Sequence, residues 1–131
     1  MTKENQEEID AIKKAINHYI DGTCNQDYEE IFKGWHPDGK MMAFNEDGSL
    51  KIYDRSIWKD WYENAKPNSE ITRTSEILSI VYHGVSGNVK VKTVLDTPKE
   101  TTIWTDYLNV LKIKGQWFIV NKIFDTIKKA K

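Results

Sequence analysis

The sequence has few of the residues that cross-link a chain or interrupt it. Among 131 residues, Cys24 is the single cysteine, and only three residues are proline. One cysteine excludes a disulfide within the chain, and no cysteine or histidine motif lies near it. Apolar runs are short as well, because none approaches the ~20 residues that a membrane helix needs. A hydrophobic core must therefore hold the fold, and a chain of this length can bury one.

The sequence also lacks an excess of charge of either sign. The 19 Lys and Arg residues nearly cancel the 20 Asp and Glu residues, for a net charge of −1. Such a surface has no general attraction for nucleic acid or acidic membranes. Residues 1–8 are polar and lack the apolar stretch of a signal peptide. The length and composition predict one domain over residues 1–131 in a soluble cytoplasmic protein.

Hydrophobic periodicity predicts three helices in the first half of the chain. The first is capped by Asn5 and ends at Gly22, because glycine readily adopts the positive φ that stops a helix. The second is capped by Asn25 and ends at Gly34, and the third follows Asp54. The apolar residues that recur at helical spacing in the first helix are Ile9, Ile12, Ile16, Tyr19 and Ile20.

The rest of the chain has the alternation of β-structure. A connector at Trp35–Gly39, where proline and glycine break regular structure, leads into a short strand at Met41–Phe44. From Thr72 onward the hydrophobic period is two, and Lys114–Gly115 is a two-residue hairpin turn. Helices followed by an antiparallel meander give an α+β layout. The predicted long strands cover Ile77–Tyr82, Val89–Leu95, Thr101–Ile113 and the residues after Gly115.

The predicted hairpin brings polar residues together in an apolar setting. A regular register pairs Leu108 with Asn121 and Asp106 with Ile123, so that Asp106 and Asn121 share one face. A buried carboxylate is unfavourable unless it is paired or hydrated. Two interpretations remain open: a structural hydrogen-bond network, or a pocket with a few polar contacts. Both faces of the hairpin are apolar, so helices are expected to cover one and a second subunit the other.

Several segments together resemble one known family. They are Asp21-Gly22 after the first helix, the Trp35-His36-Pro37-Asp38 connector, Thr105-Asp106-Tyr107-Leu108, Gly115-Gln116-Trp117 and Val120-Asn121-Lys122. The chain is similar to the putative lumazine-binding family of NTF2-like (SnoaL-like) proteins. The resemblance implies a cone-shaped, cystatin-like α+β fold, with three helices packed in a curved antiparallel sheet around a cavity, in a homodimer. Related folds include ketosteroid isomerases and polyketide cyclases, in which pocket carboxylates or histidines move protons.

The candidate site residues combine polar groups with aromatic walls. His36, Asp106 and Asn121 are expected to orient a ligand, because they are the polar groups that the fold would direct towards its cavity. The aromatic side chains suit a flat ligand, although such residues are common in ordinary cores as well. The histidines lack metal-ligand spacing, so we expect neither a metal nor a cofactor. The candidate walls are Tyr19, Met42, Trp58, Trp61 and Trp104.

The sequence favours non-covalent binding of a small, mostly apolar or aromatic molecule. An enzyme is the first alternative: a cofactor-independent isomerase, dehydratase or cyclase that uses Asp106 or His36 as general base. The second alternative is a dimeric interaction module with a vestigial cavity. The fold is compatible with all three, so only the geometry of the site can separate them.

Overall fold

The computed structural model describes residues 2–131. It contains three helices and six strands, and the α+β arrangement and the three helices are as predicted. The helices are α1 (Lys3–Asn25), α2 (Tyr28–Gly34) and α3 (Ser56–Tyr62). The strands are β1 (Trp35–Phe44), β2 (Leu50–Tyr53), β3 (Thr72–His83), β4 (Ser86–Asp96), β5 (Glu100–Ile113) and β6 (Gln116–Ala130).

The six strands form one sheet in the order β2-β1-β6-β5-β4-β3. Neighbouring strands are antiparallel except for β1 and β6, which are parallel. The tight turn lies at Lys114–Gly115, as predicted, and both residues have positive φ, 50° and 82°. Strand β2 was not predicted; it is mostly exposed and pairs only with the end of β1.

The first helix is longer at both ends than predicted. Its N-cap is Thr2, whose hydroxyl accepts a hydrogen bond from the Asn5 amide at 3.1 Å. Gly22 lies inside the helix rather than at its end. A Cβ on Gly22 would lie 2.3 Å from Cγ1 of Ile31, so the glycine allows α2 to pack closely against α1. The chain turns instead at Gln26, which has a left-handed conformation, and the cap of α2 is Asp27 rather than Asn25.

The predicted connector at Trp35–Gly39 is part of β1. Trp35 pairs with Ile119 and Lys40 with Asn121, so the five-residue step along β1 faces a two-residue step along β6. The intervening residues bulge out of the ladder, which accommodates the proline without breaking the strand. Pro37 and Gly39 therefore mark an irregular part of the strand rather than a connector outside the sheet.

A second irregularity changes the register of the β5–β6 hairpin. Val110 pairs with Ile119, but Asn109 pairs with Asn121, which leaves Val120 as the extra residue of a bulge. Beyond the bulge every residue of β6 shifts by one place, so Lys122 lies opposite Leu108. The predicted pairing of Leu108 with Asn121 is therefore wrong.

The shift exchanges the two faces of β6 beyond Val120. Lys122 and Phe124 turn to the face that the helices cover, and Asn121 and Ile123 turn to the opposite face. We call these the inner and the outer face of the sheet. The core fills the inner face, and its fully buried residues include Ile12, Ile16, Tyr19, Ile31, Trp35, Val89, Val91, Leu108 and Ile119.

One polar contact fixes the start of α1 on the sheet. The Glu8 carboxylate accepts hydrogen bonds from Lys112 at 2.7 Å and from the Trp117 indole at 2.9 Å. Both donors lie beside the β5–β6 turn, so α1 is held across the inner face near that end of the hairpin.

Deletion of Val120 should be tolerated, because it removes the extra residue and leaves Lys122 on the inner face in a regular ladder. Deletion of Tyr107, an outer-face residue in a regular part of β5, should lower the melting temperature far more, because it shifts the register against both neighbours. Thermal unfolding followed by circular dichroism compares the two. An equal loss in both variants would contradict this account of the bulge.

Candidate functional site

A cavity of about 570 Å³ lies between α3, β1–β2 and the inner face of β5–β6. Its wall is mainly aromatic, with one carboxylate and three basic side chains. The lining residues are Met41, Ala43, Lys51, Tyr53, Trp58, Trp61, Tyr62, Arg73, Trp104, Asp106, Lys122 and Phe124.

A chain of hydrogen bonds forms the polar wall of this cavity. The Tyr19 hydroxyl donates to Asp106 Oδ2 at 2.8 Å and accepts from Lys122 Nζ at 2.7 Å. Lys122 Nζ lies 3.7 Å from Asp106 Oδ1, which is an ion-pair distance but too long for a hydrogen bond. All three residues are buried, and they come from α1, β5 and β6. The Tyr19 hydroxyl therefore lies between the Lys122 ammonium and the Asp106 carboxylate.

Burial controls the protonation of this chain. It lowers the pKa of Lys122 to about 8, although the Asp106 carboxylate acts in the opposite direction and Arg73 adds to the decrease. Burial raises the pKa of the Tyr19 hydroxyl well above its usual value, and the negative charge of Asp106 raises it further. Tyr19 therefore stays protonated at neutral pH, whereas the pKa of Lys122 lies much closer to neutral pH than that of an ordinary lysine.

Aromatic rings surround the Lys122 amine. Nζ lies 5.1 Å from the ring centroid of Tyr19, 5.3 Å from that of Trp58 and 5.0 Å from that of Phe124. Cation–π attraction offsets part of the free-energy cost of removing the ammonium from water. The amine therefore lies in an aromatic part of the cavity wall.

Three buried polar atoms of the lining residues lack a hydrogen-bond partner in the protein. They are the donors Trp58 Nε1 and Arg73 Nε and the acceptor Asp106 Oδ1. The Arg73 guanidinium lies 5.0 Å from the Trp104 ring centroid. A buried polar group without a partner destabilises the protein, and a water or a ligand atom would relieve this.

The structure brings five of the eight candidate residues to this region. Trp58, Trp61, Trp104 and Asp106 line the cavity, and Tyr19 lies behind Asp106 and Lys122.

The other three candidates lie elsewhere. Asn121 is on the outer face, where it accepts from Asn109 at 2.8 Å. His36 packs edge-on against Phe118, and its Nδ1 accepts from the Asp38 amide at 3.0 Å. Met42 is adjacent to the lining residue Met41 but is not itself part of the wall.

Lys122 and Arg73, two basic residues that line the cavity with Asp106, were not predicted from the sequence. In the predicted regular register Asn121 shares a face with Asp106, so its neighbour Lys122 falls on the opposite face; the bulge at Val120 reverses this. The signal that could have identified Lys122 is its position as a charged residue within an apolar strand. Arg73 gave none, because it lies at the start of β3 among polar residues.

Within residues 2–131, no group of three or more His, Cys, Asp or Glu side chains is placed to hold a metal ion. No helix in that range is long and apolar enough to cross a membrane.

The free energy of unfolding should increase between pH 8 and pH 9.5 in the wild type relative to Lys122→Met. The folded-state pKa of Lys122, about 8, is below its ordinary value of 10.5. Between these values the unfolded chain binds more protons, so stability rises with pH. Urea unfolding across this range measures the difference, and the comparison with Lys122→Met cancels the ionisation of the tyrosines that both proteins share. Parallel pH profiles for the two proteins would contradict the shift.

Comparison with known proteins agrees with this architecture. A family profile described as Putative lumazine-binding matches residues 7–125. The aldolase FrzH from Cladobotryum sp. is 26% identical over 117 residues, which cover 89% of this chain and 90% of that protein.

Two solved structures show the same fold. An NTF2-like protein of unknown function from Shewanella baltica has a TM-score of 0.78 at 21% identity, covering 97% of this chain and 98% of the other. A putative scytalone dehydratase from Novosphingobium aromaticivorans has a TM-score of 0.73 at 18% identity, covering 100% and 92%. With its profile match spanning nearly the whole sequence, the chain belongs to the putative lumazine-binding family of NTF2-like proteins.

Proposed function

We propose that the protein binds a small planar molecule, carrying at least one oxygen acceptor, in the aromatic cavity. The observation that carries this proposal is the cavity wall, in which six aromatic side chains lie beside the polar side chains of Arg73, Asp106 and Lys122. Basic and acidic groups in one wall match a ligand that has both a carbonyl or carboxylate oxygen and a hydroxyl group. An apolar pocket with a few converging polar groups is typical of small-molecule sites.

The charge of the cavity favours a ligand with a negative or strongly polarised oxygen. Arg73, Lys122 and Lys51 contribute positive charge, whereas Asp106 is the single acidic residue in the lining. An arginine in the wall of an aromatic cavity can form two parallel hydrogen bonds to a carboxylate. The flat rings of Trp58, Trp61 and Trp104 offer stacking surfaces for the body of such a ligand.

Arg73→Met should weaken binding of an aromatic carboxylate by about 10- to 100-fold, which corresponds to loss of one charged hydrogen bond. Thermal-shift screening of pteridines, flavin fragments, steroids and polyketide-like aromatic acids identifies a ligand, and tryptophan fluorescence then gives its Kd. Lys90→Met is the matched control, because Lys90 also lies over an aromatic ring, that of Tyr107, but outside the cavity. Equal effects of the two substitutions would contradict a ligand contact at Arg73.

An enzyme is the second candidate, and the free oxygen of Asp106 favours it. Asp106 Oδ1 belongs to a cavity-lining carboxylate and has no hydrogen-bond partner, which is the arrangement that a general base needs. The similar proteins named for an aldolase and a scytalone dehydratase are consistent with chemistry at a carbonyl-bearing substrate. The reaction class would be a cofactor-independent isomerisation, dehydration or cyclisation. His36 has no part in this proposal, because it does not line the cavity.

We also propose that the outer face of the sheet forms a homodimer. Apolar side chains are exposed there, including Val81 at 68% and Ile123 at 53%. The amides of Asn88, Asn109 and Asn121 form a hydrogen-bonded row across the same face. Exposed apolar area around a polar row is typical of surfaces that associate.

The double variant Leu111→Lys and Ile123→Lys should halve the mass measured by light scattering at micromolar concentration, because it places four like charges across a symmetric interface. Ile71→Lys is the control, since Ile71 is also exposed but precedes β3, outside the sheet. A wild-type monomer, or a dimer that survives the double variant, would contradict the proposed interface.

A further inference from the structure

We propose that Lys122 attacks the carbonyl carbon of an aldehyde or ketone in the aromatic cavity and forms an iminium with it. The inference rests on the proposed binding function and adds the chemical class of the ligand and a covalent step. It assigns to Lys122 the role of nucleophile, to Tyr19 that of proton conductor and to Asp106 that of proton acceptor and donor.

The position of Lys122 differs from that of a purely structural ion pair. A structural pair buries its charges in direct hydrogen-bond contact, because both charges need compensation. Here Nζ is 3.7 Å from the nearest carboxylate oxygen, and its hydrogen bond goes to a neutral hydroxyl, that of Tyr19. The amine belongs to the cavity wall, and the centroids of three aromatic rings lie between 5.0 and 5.3 Å from it. An amine without a direct carboxylate partner is free to react once it is deprotonated.

The hydrogen bonds provide a route for that deprotonation. Lys122 donates to the Tyr19 oxygen, and the Tyr19 hydroxyl donates to Asp106 Oδ2. If each proton moves one step along this chain, Lys122 becomes a neutral amine and Asp106 a carboxylic acid, while Tyr19 ends as it began. Transfer within the chain needs no solvent, and the lowered pKa of Lys122 reduces the free energy that it requires.

The covalent step balances without another reactant. The amine lone pair forms the C–N bond, and the π electrons of the carbonyl move to its oxygen. A proton passes from nitrogen to that oxygen, which gives a carbinolamine. Asp106 returns its proton to the hydroxyl group, the C–O bond breaks, and water leaves as the nitrogen lone pair forms the C=N bond. The sum is ammonium plus carbonyl giving iminium plus water, and the carboxylate is regenerated.

Reductive trapping tests this step on the intact protein. The probe is para-formylbenzoate, an aromatic aldehyde whose carboxylate suits Arg73, with cyanoborohydride at pH 7 and peptide mapping by mass spectrometry. A base whose pKa falls from 10.5 to about 8 has roughly 300-fold more neutral amine at pH 7. Adduct formation at Lys122 should exceed that at the exposed residues Lys128 and Lys129 by at least about tenfold. An adduct spread evenly over exposed lysines would overturn the proposal.

A second probe separates this inference from the binding function. The alcohol para-hydroxymethylbenzoate has the same shape and charge but cannot form an iminium. If the alcohol quenches tryptophan fluorescence while the aldehyde leaves Lys122 unmodified, the covalent step is wrong and the binding function stands. If neither compound binds nor reacts, then the iminium proposal fails together with binding of this class of ligand.

Tyr19→Phe tests the proton route rather than the amine alone. The substitution removes the hydroxyl between Lys122 and Asp106 but keeps the ring. Trapping at Lys122 should fall at least about tenfold if the route matters, since one tenfold step corresponds to about 1.4 kcal/mol. Circular dichroism confirms that the variant is folded, and unchanged labelling of Lys128 provides the internal control. Undiminished trapping at Lys122 would overturn the role of Tyr19.

Discussion

The site depends on one backbone irregularity, the bulge at Val120 in β6. Side chains alternate along a strand, so one additional residue exchanges the faces of everything that follows. The bulge turns Lys122 towards α1, opposite Leu108 and close to Tyr19. Without it the hairpin would place Asn121 there instead. Lys122 is the only buried lysine among the described residues. It is buried because of the strand register, not because its neighbours in the sequence are apolar.

The polar chain that results is unfavourable for stability. A buried ammonium loses its hydration, and the depressed pKa of Lys122 records that loss. The carboxylate of Asp106 compensates only in part, because Tyr19 occupies the space between the two charges. An apolar replacement of such a group is often neutral or stabilising in proteins. Groups that destabilise a fold are characteristic of functional sites, and the hydrogen-bond chain of Lys122, Tyr19 and Asp106 is such a group.

The surrounding helices hold the Lys122–Tyr19–Asp106 hydrogen-bond chain in one geometry. Gly22 brings α2 against α1, and the buried ring of Tyr19 packs against the rings of Trp35 and Trp58. Glu8 fixes the start of α1 to Lys112 and Trp117 of the hairpin. Constraint at both ends of the helix limits the freedom of the Tyr19 hydroxyl. A positioned donor and acceptor need little reorganisation when charge moves, which favours proton transfer in a site of this kind.

The local pattern of the sequence determined the elements of the fold. Helical spacing of isoleucines predicted α1, alternation predicted β3–β6, and the Lys114–Gly115 turn was identified from its residues alone. These features depend on neighbours within a few positions, so a single sequence suffices to read them. The aromatic wall residues Trp58, Trp61 and Trp104 were also found in this way, because large rings in amphipathic segments turn inward.

The tertiary structure decided which polar residues meet. Gly22 could end α1 or could allow a second helix to pack closely against it. The second is the case, because Ile31 of α2 lies against Gly22. Whether Lys122 or Asn121 faces Asp106 depends on a bulge that the alternation of residues does not encode. Arg73 reaches the cavity only because the sheet is curved around it. Local propensity determines helices and strands, whereas packing between distant segments determines strand register and the close approach of elements. The chemistry of this site follows from that packing.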